Sequence, residues 1–438
     1  MRATDTPWGP AKDLRKRMLP PGRGGSAEAT ARNQRERLYG ATVATVAEKG
    51  YGDTTVADLL ELAGVSRSTF YQHFADKQAC FMATYDAILD GVVAASTAEF
   101  ESDGQWIERL DAAYAKLLEL IAAYPAAAHL CLVDLYGAGP EALAGSEQAV
   151  GQFAQLLRRA LDESPERADL PEPLIQAILG GNFKVLTSRV RRGRAGELPE
   201  LVPEIAAWAL SYQPPPSPIR KPRSRSQPTG GGPQFAPYGD AGRIYEALAL
   251  EISERGYQHT TIDGIATRAG ASVHTFYRNF DGKESALAAA YDTGLVQSLA
   301  LIQPAFERAV DWPHGVRAAL RALLCFLAGN PAWTRTAILE SPAAGAAMMA
   351  RADDAIDRFA SILEPGLEWA APDLSAVAVE ASAGAIYALI YEHVRKPGPA
   401  RLLEILPLCT FVGLAPFVGA ELALAIANDG ERSDRRVA

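Results

Sequence analysis

The chain contains itself twice, and that constrains its fold more than any other feature. Residues 50–77, GYGDTTVADLLELAGVSRSTFYQHFADK, align without a gap on residues 256–283, GYQHTTIDGIATRAGASVHTFYRNFDGK. Twelve of these 28 positions are identical: Gly50, Tyr51, Thr54, Thr55, Ala63, Gly64, Ser66, Thr69, Phe70, Tyr71, Phe74 and Lys77 each recur 206 residues later. Average residue usage would supply about one or two such matches. The repeat runs on, with Trp106 over Trp312 and Pro125 over Pro331 at the same offset. Near the ends of the copies LPELVPEI resembles RLLEILPL, with Pro203 over Pro407 at an offset of 204. Whole lobes are therefore duplicated. So long a period excludes a stacked solenoid and implies two separate lobes.

The segment between the copies, residues 213–237, reads QPPPSPIRKPRSRSQPTGGGPQFAP. Such a composition cannot bury enough apolar surface to order itself. It is expected to be a linker, extended where Pro-rich and flexible at its glycines. Residues 1–25 are expected to be a disordered basic extension and 429–438 a disordered tail. The formal charge is −9, which by itself argues against a nucleic-acid partner. The distribution reverses that argument. Residues 1–37 carry a net +5 and residues 213–243 a net +4, leaving −18 on the rest. Basic segments on an acidic body fit local phosphate contact without general stickiness. The basic linker itself serves either as a solubiliser or as an arm that follows DNA.

Cys80, Cys131, Cys325 and Cys409 form no CxxC pair and no zinc spacing. They read as reduced core thiols of a cytoplasmic protein without a metal site. No apolar signal segment opens the chain. The longest uncharged apolar run, ILPLCTFVGLAPFVGA at 405–420, is short for a membrane span, holds two prolines and lies between Glu404 and Glu421. It is expected to be a buried helix or helix interface, with no membrane as partner.

Each copy reads as helices, and no convincing period-2 strand appears, so the expected class is all-α. Leu38, Val43, Val46 and Ala47 recur at helical spacing ahead of Gly50, a helix stop. Thr54 or Thr55 can cap a short helix that turns Val56, Leu59, Leu60 and Ala63 inward. Gly64 supplies a turn, Ser66 caps a second short helix from Arg67 to His73, and Asp76 caps a long helix from Lys77. The second copy repeats this with Thr260 or Thr261, Gly270, Ser272 and Asp281. Two short helices across a tight glycine turn form a helix-turn-helix, whose second helix enters the major groove.

These residues, an A-G-x-S turn followed by T-x-F-Y-x-x-F-x-x-K, resemble the TetR-like (tetracycline-repressor-like) family of transcription regulators. The resemblance covers roughly 50 residues per copy. It implies two lobes, each a three-helix helix-turn-helix domain followed by a helical effector and dimerisation domain. The expected divisions are 26–76 and 77–212 in the first copy, and 238–282 and 283–428 in the second. Two full copies in one chain depart from the family pattern. Carried over by position, Thr55, Tyr71 and Lys77, with Thr261, Tyr277 and Lys283, would contact DNA phosphates, positioning contacts without sequence information. Base readout would fall on Arg67, Ser68 and Gln72 in one head, and on Val273, His274 and Arg278 in the other. The phosphate-facing types are shared and the base-facing types differ, as two readers with different targets require. For Tyr71 and Tyr277 the alternative is packing, and for Arg67 a solvated surface charge.

The function expected is a sequence-specific DNA-binding regulator, a repressor released by a small effector. The helix pairs at 171–212 and 373–427 would pack as an intramolecular four-helix bundle, making the chain a pseudo-dimer on a non-palindromic operator. Its rival is a dimer of chains with four heads. In a second reading only one head binds DNA and the other lobe serves dimerisation or ligand sensing. For an apolar or aromatic effector the candidate pocket residues are Tyr114, His129 and Phe183 in the first lobe, and Phe326, Trp333 and Tyr387 in the second, unless they are plain packing aromatics. The sequence has no HExxH, GxSxG or phosphate-binding loop; Gly282-Lys283 is followed by Glu284. No enzyme activity and no cofactor are expected.

Overall fold

A computed structural model describes residues 4–19, 26–220 and 239–429. The first copy folds as α1 (Ala27–Asp53, broken at Gly50), α2 (Val56–Ala63), α3 (Arg67–His73), α4 (Lys77–Phe100), α5 (Trp106–Ala123), α6 (Pro125–Leu132), α7 (Pro140–Asp162), α8 (Glu172–Arg191) and α9 (Val202–Leu210). The second follows as α10 (Gly239–Arg255), α11 (Ile262–Arg268), α12 (Val273–Asn279), α13 (Lys283–Glu307), α14 (Trp312–Gly329), α15 (Pro331–Arg335), α16 (Ala346–Ala360), α17 (Ala376–Arg395) and α18 (Leu406–Asn428). The helical class expected from the sequence holds, and the repeat reaches the backbone. Left-handed glycines stand at equivalent points: Gly50 and Gly256 at φ 77° and 80°, Gly64 and Gly270 both at 61°. Only glycine enters that region without steric penalty, which is why both turns keep it.

Residues 4–19 differ from the expectation of disorder. Strands β1 (Asp5–Thr6) and β2 (Gly9–Pro10) pair antiparallel, and a 3-10 turn, Ala11–Arg17, follows. Ala11 and Leu14, three residues apart, fall on one side of that turn and are 4% and 0% exposed. Leu14 joins Leu38, Leu59, Ala63 and Phe70 in the core of the first head. Two apolar residues among charges are too few to register as an amphipathic pattern, yet they suffice when a pocket already waits for them. Residues 213–220 of the expected linker are described and carry no helix. Residues 1–3, 20–25, 221–238 and 430–438, which hold the rest of the expected extension and linker and most of the expected tail, lie outside the described residues.

Packing divides the chain into two compact units, Met1–Ala160 with Leu186–Val202, and Leu161–Val185 with Pro203–Ala438. This boundary does not follow the repeat boundary, because the last helices of the first copy pack with the second. Within the second unit α8 crosses α17 at Gly180 and Gly384, positions equivalent at the offset of 204. A Cβ on Gly180 would collide with Ala388, and one on Gly384 with Lys184, the residue equivalent to Ala388. Trp208 Nε1 donates to Ser382 Oγ at 2.9 Å and Tyr212 donates to the Val412 carbonyl at 2.8 Å. Ser375 bonds the Glu204 carboxylate. Lys184, 5% exposed, lies 2.6 Å from Asp353 and 2.9 Å from Asp357 on α16.

The apolar run at 405–420 forms most of α18 and is largely buried against α14 and α17. By length and composition, the helical stretches Lys77–Phe100, Lys283–Glu307 and Pro399–Asn428 are apolar enough to cross a membrane.

Candidate nucleic-acid interface

In the first head, Thr55 is the N-cap of α2. Its backbone N–H and hydroxyl donate to Asp58 Oδ2 at 2.9 and 2.7 Å, and the Asp58 N–H returns to Thr55 Oγ1 at 3.3 Å. This reciprocal box satisfies backbone donors at the helix start, where no intrahelical partner exists. Lys49, 2.7 Å away, and the Thr55 donors hold the Asp58 carboxyl down at about 2. The helix ends at Gly64, and buried Arg37 closes it by donating to the carbonyls of Ala63 (2.6 Å) and Gly64 (3.2 Å). A cation on the last carbonyls suits the negative end of the helix. Ser66 then caps α3, its Oγ accepting the Thr69 N–H at 3.1 Å.

Phe70 faces inward with 0% exposure while Tyr71 stands 52% exposed, its ring edge-on to Phe70. Arg67, Ser68 and Gln72 are exposed on the same helix. Ser68 Oγ lies 3.0 Å from Ser66 Oγ, and Arg67 has no ion pair among the described residues. An exposed, capped helix with a guanidinium and amide groups free to reach outward can enter a groove and meet base edges.

The second head repeats the frame with different surroundings. Thr261 caps α11 by accepting the Gly264 N–H at 3.1 Å, but Gly264 stands where the first head has Asp58. The Thr261 hydroxyl is therefore clear of the carboxylate that engages Thr55. Ser272 caps α12, accepting the Thr275 N–H at 3.0 Å. Val273, His274, Tyr277 and Arg278 are exposed, Tyr277 at 54%. Arg278 reaches Asp240 at 3.0 Å in an exposed pair, which competes only weakly with a phosphate or base. Gly282, not the expected Asp281, is the N-cap of α13; the Ser285 hydroxyl accepts its N–H at 3.1 Å.

Lys77 and Lys283, expected at DNA phosphates, also bond the chain itself. Lys77 donates to the carbonyls of Tyr51 (2.8 Å) and Gly52 (3.2 Å), above the Tyr51 ring. Lys283 donates to those of Tyr257 (2.7 Å) and Thr260 (2.9 Å), above the Tyr257 ring. Burial pushes both ammonium groups down from the usual lysine range. Each lysine ties the start of a long helix to the backbone just past the left-handed glycine, Gly50 or Gly256, and so serves as a half-buried strut. The identity of Tyr51 with Tyr257 and Lys77 with Lys283 is explained by this contact.

Sequence reasoning missed Asp58, Arg37 and the extension. The Thr-x-x-Asp spacing at 55–58 is itself a capping-box signal. Arg37 carries none, because a charged residue on an apolar helix face looks like surface until its carbonyl partners are known.

Of the pocket candidates, Phe326, Trp333 and Tyr387 share the wall of one cavity of about 120 Å³ in the second copy. Trp333 lies flat against Gly294, where a Cβ would meet its ring at 2.6 Å. Tyr387 donates to the Ile338 carbonyl at 3.4 Å, and Ala352 and Ile356 of α16 also line the cavity. The equivalent of Trp333 in the first copy is Ala127. Tyr114 is held with a buried hydroxyl, and His129 Nδ1 lies 2.7 Å from Asp134. Both belong to the first unit, whereas Phe183, the equivalent of Tyr387, belongs to the second. Buried Cys80 packs in the first head, where burial pushes its thiol up to about 11.

Residues 38–84 and 244–290 both match the family of bacterial regulatory proteins called tetR. No curated protein is significantly similar to the chain. Among solved structures it is similar to the fatty acid degradation regulator FadR from Bacillus halodurans, with 19% identity over 40% of this chain and 97% of that one, at a TM-score of 0.38. The regulator FadR from Bacillus subtilis, solved with stearoyl-CoA, is 19% identical over 40% and 97%, at 0.37. PfmR from Thermus thermophilus is 21% identical over 40% and 95%, at 0.35.

Proposed function

The chain carries two tetR-family domains of bacterial regulatory proteins, at 38–84 and 244–290, and on that premise we propose that it regulates transcription by gripping one DNA site with two unlike heads. The observation that carries this reading is the pairing of α3 and α12. Both are capped, exposed seven-residue helices of one geometry. Their outward tyrosines are the same and their outward readers differ. Tyr71 and Tyr277, half exposed, supply phosphate-positioning hydroxyls, with Thr55 and Thr261 at the ends of the preceding helices. Arg67, Ser68 and Gln72 read bases in one half-site; Val273, His274 and Arg278 read them in the other.

A pseudo-dimer within one chain is supported by the crossing of α8 and α17. Gly180 meets Ala388 while its equivalent Gly384 meets Lys184, the reciprocity of a two-fold contact. The protein acts in the cytoplasm as a repressor, not an enzyme, with double-stranded DNA as its partner. Its effector is a small apolar or aromatic molecule held between Phe326, Trp333 and Tyr387.

Selection of bound duplexes from a random pool tests the reading. It expects a non-palindromic site; a palindrome, or no selected sequence, overturns it. Replacing residues 272–279 by the residues at 66–73 is expected to change preference in one half-site only, and to make the site symmetric. The mass of the complex is expected to correspond to one chain per site, and two chains per site would favour the dimer of chains.

A further inference from the structure

We propose that residues 11–17 are a folded basic clamp that adds phosphate contacts to the first head alone, so that the two heads grip DNA with unequal strength. The proposal rests on the reading of the heads as DNA binders. The segment AKDLRKR places Lys12, Arg15, Lys16 and Arg17 around one acid, Asp13. All four cations are exposed, while Ala11 and Leu14 are buried beneath them. The charges are thus mounted on a rigid base and not on a loose arm, and less ordering entropy is lost when they meet a ligand.

The base fits a socket in the first head that the second head does not share among the described residues. A Cβ on Gly40 would lie 2.7 Å from Leu14 Cδ2 and 3.1 Å from Thr6 Oγ1. Asn33 Nδ2 donates to the Arg17 carbonyl at 3.0 Å and Trp8 packs on Tyr39 with ring centroids 5.1 Å apart. In the second head the position of Gly40 is Glu246. Glu246 is exposed, and a side chain at this position leaves no room for an anchor seated as Leu14 is on Gly40.

The clamp also lies at the right place. Arg15 crosses the turn between α2 and α3, its Cγ and Nε 3.0 and 3.2 Å from where a Cβ on Gly64 would stand. That turn leads directly into Ser66 and Arg67 at the start of the recognition helix. Lys16 and Arg17 make only exposed pairs with Asp13 and Glu36, and Lys12 and Arg15 make none among the described residues. Exposed pairs are readily exchanged for phosphate. On a chain whose net charge is −9, an exposed row of cations beside a groove-reading helix matches the charge of a DNA backbone.

The test uses the full chain and a duplex of random sequence, titrated at a series of salt concentrations. The variant carries Lys12→Gln, Arg15→Gln and Lys16→Gln together, which leaves the buried anchor intact. Each lost phosphate contact flattens the slope of log affinity against log salt by about 0.9, so a decrease of about two to three is expected, and the affinity deficit should grow by about 100-fold or more for each tenfold drop in salt. The melting temperature should not move. Tyr71→Phe, which removes a phosphate-positioning hydroxyl of the recognition helix, serves as the control for the heads. If Tyr71→Phe weakens binding and the triple variant leaves the slope unchanged, the clamp is overturned and the heads stand. If the parent chain does not bind duplex DNA at all, both readings fall.

Discussion

One substitution between the copies, Asp58 against Gly264, changes how equivalent threonines behave. In the first head Asp58 completes a capping box and is charged to unusually low pH; in the second Thr261 caps alone. The carboxylate is favoured by folding, so its contribution is complete above the ordinary value of 3.8 and is lost as pH falls toward about 2. Asp58→Asn is expected to lower the melting temperature near neutral pH, and the difference from the parent should vanish as the pH approaches the lower value. A difference constant across that range would show that the carboxylate charge is not what holds the cap. His73, which meets Gln34 at 2.9 Å, is shifted down by burial, so the same acid scan protonates it against the fold.

At the scale of the element, the turn of each helix-turn-helix depends on a left-handed glycine. Gly64 and Gly270 share φ 61°, but their neighbours differ. Around Gly270 nothing stands within 4 Å of a Cβ, whereas Gly64 is covered by Arg15. Gly270→Ala is expected to cost about 1–2 kcal/mol from backbone strain alone. Gly64→Ala should cost at least as much and should also displace Arg15. Chemical denaturation of the two variants measures the first effect. The second predicts weaker non-specific DNA binding for Gly64→Ala only, and equal binding by both variants would contradict it.

At the scale of the molecule, the second unit takes in helices from both copies. Lys184 of the first copy is buried against Asp353 and Asp357 of α16, the helix whose Ala352 and Ile356 wall the cavity. Removing one partner from such a pair strands the other charge, so Lys184→Ala is expected to destabilise the chain by about 3–5 kcal/mol. Lys184→Met with Asp353→Leu should recover most of that loss in the same denaturation measurement. A small effect of Lys184→Ala would mean that water already reaches the pair. The contact also ties a helix of the first copy to the helix that lines the cavity of the second.

The helical class, the duplication and the two helix-turn-helix motifs were legible in the sequence, because they rest on local chemistry. Capping residues, glycine turns and apolar spacing act within a few residues, and a 206-residue echo makes them visible twice. Three of the six pocket candidates, Phe326, Trp333 and Tyr387, also proved to share one wall. Other features depended on what lay across the fold. The Leu14 anchor needs the missing side chain of Gly40, Lys77 needs the carbonyls just past Gly50, and Lys184 needs two aspartates about 170 residues away. A residue's type states which partners it can accept, and position in three dimensions decides which it meets. The tandem repeat therefore announced two helix-turn-helix units in one chain, and only tertiary packing distinguished their surroundings and joined helices of the two copies in one unit.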